Sequence, residues 1–137
     1  WDMHGNIVQG LKQRCPQLDQ AVAAFVQDLE DRSLSNNILL VITGEFGRTP
    51  RVNKNAGRDH WSNLSTLALA GGGLKMGQVV GESNSKVERP KSNPITPQDL
   101  MATVFNVLGI DRDLHYYNQA GRPTPMIEEG KVIAELV

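Results

Sequence analysis

Cysteine is nearly missing from this chain of 137 residues, with Cys15 the single example. An intrachain disulfide is therefore excluded, and so is a zinc site built from cysteines. Neither sign of charge is in excess: 14 Lys and Arg face 15 Asp and Glu, for a formal net charge of −1. That balance lacks the basic surplus that neutralises phosphates, so nucleic acid is not an expected partner. No apolar run approaches the ~20 residues of a membrane-spanning helix. There is no internal repeat and no low-complexity tract. The first residue is Trp1, with neither an initiator Met nor a charged-then-apolar leader, and Asp2 and His4 follow at once. From that opening, residues 1–137 are expected to form a single partial domain, the C-terminal or processed piece of a larger one.

What is present belongs to a globular chain: 39% of residues are hydrophobic and 21% charged, and the length can bury a sizeable core. Leu18, Val22, Phe25, Val26 and Leu29 fall on one stripe of an amphipathic helix over 16–30, with Pro16 in its first turn. Turn residues at 31–37 close it. Ile38 to Ile42 is a continuous branched run, which predicts a strand buried on both faces. Helix, short connection and doubly buried strand together predict an α/β fold with a largely parallel sheet. Residues 64–70 and 78–81 are further strand candidates, and 81–94 reads as an exposed loop. A second helix follows, capped by Thr96, with Pro97 first, Asp99 completing a capping box and Gly109 just past the end. After Ile110 the Pro-punctuated chain is expected to wrap the surface.

Asp2 and His4 are two residues apart, which puts both side chains on one side of an extended segment. A carboxylate and an imidazole together suit Zn, Mn or Fe better than Ca. His60 is the natural third ligand, and Asp59 beside it is an additional one. The alternative is a surface carboxylate that merely neighbours a histidine. Glu45 lies just past a strand end, where ligands of open α/β sheets bind. Gly44 and Gly47 flank it and allow close backbone approach. Arg48 and Arg58 could fork onto a tetrahedral anion such as phosphate or sulfate; alternatively, Glu45 and one arginine form a structural ion pair. Gly44-x-x-Gly47 has the wrong spacing for a phosphate-binding loop. Gly71, Gly73 and Gly77 lead into no helix, which argues against a dinucleotide fingerprint. Cys15 and His115 read as packing, capping or surface residues.

Three blocks, Trp1-Asp2-Met3-His4-Gly5-Asn6, Gly44-Glu45-Phe46-Gly47-Arg48-Thr49-Pro50 and Asn55-Ala56-Gly57-Arg58-Asp59-His60-Trp61, resemble a bacterial sulfatase-like family. It is known as domain of unknown function 1501, of the alkaline-phosphatase superfamily. Ala70-Gly71-Gly72-Gly73, Thr96 to Leu100 and Gly121-Arg122-Pro123 add to the likeness. The resemblance implies the C-terminal part of a three-layer alkaline-phosphatase-like fold. It also implies one or two divalent ions, Zn, Mn or similar, with Asp2, His4 and His60 as one ligand set. Glu45 stands where the superfamily has an Asp followed by His or Asn; here Phe46 follows. The nucleophile would lie upstream, and family members are often exported, so a periplasmic or extracellular location is expected.

These readings converge on a metal-dependent hydrolase of phosphate or sulfate esters, with a small-molecule or carbohydrate ester as substrate. The alternative is a non-catalytic metal- or carbohydrate-binding module that retains the fold. A partial sheet would also leave an unpaired edge open to self-association.

Overall fold

A computed structural model describes residues 1–92 and 94–137; Asn93, within the predicted 81–94 loop, lies outside the described residues. The first helix, α1, spans Ile7–Asp31 and so begins nine residues before the predicted start. Its apolar stripe continues backward through Leu11 and Ile7, and Pro16 sits inside it. The exposed ring removes one backbone bond without ending the helix. No side chain caps the start. Asn6 takes a left-handed conformation, and the N–H groups of Asn6 and Ile7 donate to the carbonyls of Asn55 and Ala56, both at 2.9 Å. A distant loop thus satisfies donors that a helix start leaves open. Cys15 is exposed in mid-helix, so it neither caps nor packs.

Strand β1, Leu39–Ile42, pairs with β4, Ala68–Gly71, in antiparallel register, Leu39 opposite Gly71 and Ile42 opposite Ala68. Between them lies a second antiparallel ribbon, β2 (Gly47–Arg48) with β3 (His60–Trp61). A third joins β5, His115–Tyr117, to β6, Pro123–Pro125. The α/β fold with a largely parallel sheet, and the three-layer alkaline-phosphatase-like arrangement with it, is therefore not what these residues form. They make two helices and three small two-stranded antiparallel sheets. The reason is visible in the connection. A parallel partner needs a crossover, usually helical, whereas β1 reaches β4 through the β2–β3 ribbon with no helix between. The branched run at 38–42 reported burial, which carries no information about strand direction. Even burial is partial, since all four β1 residues are half-buried. Residues 64–67 and 78–81 form no strand.

Helix α2, Pro97–Val107, has the expected start: Thr96 accepts from the Asp99 N–H while the Asp99 carboxylate accepts from the Thr96 N–H. The core lies between this helix, the β1–β4 pair and the C-terminal residues. Leu74, Ile133 and Leu136 are buried there, with Leu39, Leu69, Val80 and Val107 packed around them. Gly72 lets the turn after β4 approach α2: a Cβ there would lie 2.9 Å from Val107 Cγ1. Buried Thr103 fastens the tail, its Oγ1 donating to Asp99 O (2.7 Å) and accepting from Ile133 N (3.0 Å). No helix among the described residues is long and apolar enough to cross a membrane.

Candidate metal centre

Two segments far apart in sequence are laid side by side by main-chain bonds. Gly5 bridges Ala56 in antiparallel fashion, and the Arg58 N–H donates to Met3 O at 3.2 Å. Gly57 makes this approach feasible. It is buried, and a Cβ on it would stand 2.1 Å from the His4 carbonyl carbon. The result brings Asp2 and His4 against His60 at the start of β3.

The three donor atoms form a small triangle. His60 Nε2 is 2.8 Å from Asp2 Oδ1, His4 Nε2 is 3.3 Å from the same oxygen, and the two Nε2 atoms are 3.2 Å apart. A tetrahedral ion with bonds of about 2.0–2.1 Å needs ligand atoms about 3.3 Å apart. The two edges at His4, 3.2 and 3.3 Å, match that spacing, whereas the 2.8 Å edge between Asp2 and His60 is a hydrogen-bond length that an ion would have to open by about half an ångström; the group has the composition of a metal-binding cluster, all three residues being exposed.

The far side of His4 strengthens the fit. Its Nδ1 lies 2.6 Å from Asp59 Oδ1. A carboxylate only accepts, so Nδ1–H donates, and in the neutral ring the Nε2 lone pair is left facing the triangle. Ligand histidines are commonly held this way by a second carboxylate. Asp59 thus sits behind His4 and outside the three-residue cluster. Asn53 completes the support. Its Nδ2 donates to His4 O (3.0 Å) and Asp59 Oδ1 (3.1 Å), while its Oδ1 accepts from the N–H groups of Asn55 (2.9 Å) and Gly57 (3.0 Å). His60 is set by stacking, with the Phe46 ring centroid 4.1 Å away and tilted 35°.

Charge follows the hydrogen bonds. The Arg48 guanidinium, and after it His60, holds the Asp2 carboxyl down at about 2. The bond from His4, and then that from Asn53, lowers Asp59 as well. Both groups are therefore anionic at neutral pH, the form a metal ligand or its support must have.

Of the residues singled out from sequence, Asp2, His4, Asp59, His60 and Arg48 come together. Arg48 donates through Nη2 to Asp2 Oδ1 and through Nη1 to Arg58 O at 3.3 Å. Arg58 turns elsewhere, its Nη1 donating to the carbonyls of Thr49 (2.6 Å) and Pro50 (2.8 Å). Glu45 is exposed after β1 and outside the cluster. Among the described residues it forms no ion pair with either arginine. Asn53 and Phe46 were not foreseen as site residues. The polar Asn53-Lys54-Asn55-Ala56-Gly57 run is turn chemistry, and that was the available signal for Asn53. Nothing in the sequence marked Phe46 as a wall for His60.

The sequence profile of the family described as Protein of unknown function (DUF1501) matches residues 1–137. The chain belongs to the DUF1501 family. No curated protein and no solved structure matches it.

Proposed function

We propose that Asp2, His4 and His60 are the ligands of a divalent ion, Zn or Mn in character, in a hydrolase of phosphate or sulfate esters. The observation that carries this reading is the 2.8–3.3 Å triangle with Asp59 bonded to the back of His4. Such an ion, when bound, supplies Lewis acidity toward a phosphoryl or sulfuryl oxygen. The protein's part is to orient and to hold charge. Asn53 and Asp59 fix the His4 ring, Phe46 fixes the His60 ring, and Arg48 stands beside Asp2 with a fork suited to a tetrahedral anion. Glu45, exposed nearby in sequence, offers a carboxylate for a second ion. The nucleophile in this reading comes from outside these residues, as the likeness to sulfatase-like proteins of the alkaline-phosphatase superfamily implies.

A second reading, a non-catalytic metal- or carbohydrate-binding module, is favoured by two contacts. Phe46 packs on His60 where a further ligand would be expected, and Arg58 bonds loop carbonyls rather than facing the triangle. Elemental analysis after dialysis separates the outcomes. The expected result is about one equivalent of Zn or Mn, lost in the His4→Ala/His60→Ala double variant. Because the nucleophile in this reading lies outside these residues, the longer protein that carries it is then metal-loaded and assayed on p-nitrophenyl phosphate and p-nitrophenyl sulfate. Turnover that the double variant lacks supports the hydrolase, metal without turnover supports the module, and no retained metal contradicts both as metal proteins.

A further inference from the structure

Arg48 ends β2 directly opposite His60 in the ribbon register, and residues paired in this way send their side chains to one face. Its guanidinium carbon lies 5.9 Å from the Phe46 ring centroid. Nη1 donates to Arg58 O at 3.3 Å and Nη2 to Asp2 Oδ1. That carboxylate oxygen is crowded. It also accepts from the His60 Nε2–H at 2.8 Å, with His4 Nε2 only 3.3 Å away. One carboxylate oxygen offers about two lone-pair directions, and His60 and Arg48 occupy both. The atom of Asp2 that faces the two imidazoles is therefore fully engaged by the protein's own donors.

We propose that Arg48 is an exchangeable partner of Asp2: it yields Oδ1 to a divalent ion and passes to a tetrahedral oxyanion such as sulfate or phosphate. The role presupposes that Asp2, His4 and His60 ligate the ion. His60 is then itself a ligand through Nε2, so Arg48 is the donor that must give way. Two effects weaken ion binding while the guanidinium has no new partner. Arg48 surrenders a charge-assisted bond, and its positive charge is left beside a divalent cation. It cannot shed that charge, and the bond from Nη1 to Arg58 O holds it next to the triangle. An oxyanion pairs with the released fork and relieves the repulsion. Ion and oxyanion therefore favour one another, by the same factor whichever binds first. Arg58 cannot take this part, since its Nη1 is spent on the Thr49 and Pro50 carbonyls.

Zn²⁺ affinity, measured by competition with a chromophoric chelator, tests this in sodium sulfate and in sodium chloride of equal ionic strength. Arg48→Gln keeps a donor for Arg58 O but loses the charge, whereas Arg48→Lys keeps the charge. Both are checked for unchanged far-ultraviolet circular dichroism. In chloride, Arg48→Gln should bind Zn²⁺ about tenfold more tightly than the unaltered chain, the gain from removing one nearby positive charge. Arg48→Lys should stay close to the unaltered chain. Sulfate should tighten Zn²⁺ binding to the unaltered chain about fivefold and leave Arg48→Gln where it was. Equal or weaker binding by Arg48→Gln in chloride overturns the exchange at Asp2. Sulfate that leaves the unaltered chain unchanged, or tightens Arg48→Gln as much, overturns the transfer to an oxyanion. The sulfate series on the unaltered chain decides the matter even where Arg48→Gln fails to fold. Absence of Zn²⁺ binding by all three proteins contradicts the metal centre itself, an outcome distinct from equal binding.

Discussion

Asp59 is the residue on which the two functional segments depend most directly, because it meets His4 through a charge-assisted bond of 2.6 Å and Asn53 at 3.1 Å. It touches no position a metal would occupy, so its effect must pass through the orientation and basicity of the imidazole. Asp59→Asn retains an acceptor for His4 but removes the charge. The expected outcome is a metal affinity lower by about 10–100-fold, the usual cost of losing such a support, with little change in the melting temperature of metal-free protein. Competition against a chromophoric chelator measures it, and an unchanged affinity would remove Asp59 from the site. Asp2, His4 and His60 could be named from sequence because carboxylate and imidazole chemistry is written in the residue type. Asp59's place behind His4 could not, since first and second ligand spheres use the same residues. The same limit applies to Arg58: an arginine next to a metal motif reads as an anion clamp, and only the fold shows its donors turned onto loop carbonyls.

At the scale of elements, α2 was readable because its boundaries are local chemistry: a Thr cap, a Pro at the first position, an Asp three residues on. The start of α1 was not, because its open N–H groups are met by Asn55 and Ala56, some fifty residues away, and no nearby residue signals that bond. Strand pairing was likewise a long-range matter. Asp99 joins the readable and unreadable parts. Its carboxylate caps α2 and also accepts from the Lys131 N–H at 2.7 Å, tying the helix to the tail. The bonds from the Thr96 and Lys131 backbones lower its pKa below the usual 3.8. A depressed carboxyl contributes stability that is complete above 3.8 and is lost as pH falls through its folded value. Acid titration of metal-free protein should therefore loosen α2 and the tail below about pH 4, read by near-ultraviolet circular dichroism. In Asp99→Asn this part of the transition should be absent and neutral-pH stability lower; an identical acid profile would refute the role.

The whole molecule exposes more surface than its mass warrants. Its accessible area is 10159 Å², where a compact monomer of 15.0 kDa would show about 7,000 Å². Helix α1 buries only Leu29, leaving Val8, Leu11, Leu18 and Phe25 exposed. Each two-stranded sheet has free edges among the described residues, the feature that invites added strands. Self-association is the expected behaviour of the chain in solution. Light scattering over a concentration series should give masses rising above 15.0 kDa, and a Val8→Lys/Phe25→Glu variant should shift the series back toward it. A mass that stays at the monomer value at every concentration would contradict this.

The Gly5–Ala56 bridge has a consequence for anyone handling the protein. Every donor of the triangle, and the Asn53–Asp59 support behind it, lies within residues 2–60, whereas of the residues packed around buried Leu74, Ile133 and Leu136 only Leu39 comes from that stretch. If the proposed ion binds, its occupancy would report on the 2–60 segment and not on the packing of Ile133 and Leu136, so subglobal opening of the tail would pass unseen by a metal assay.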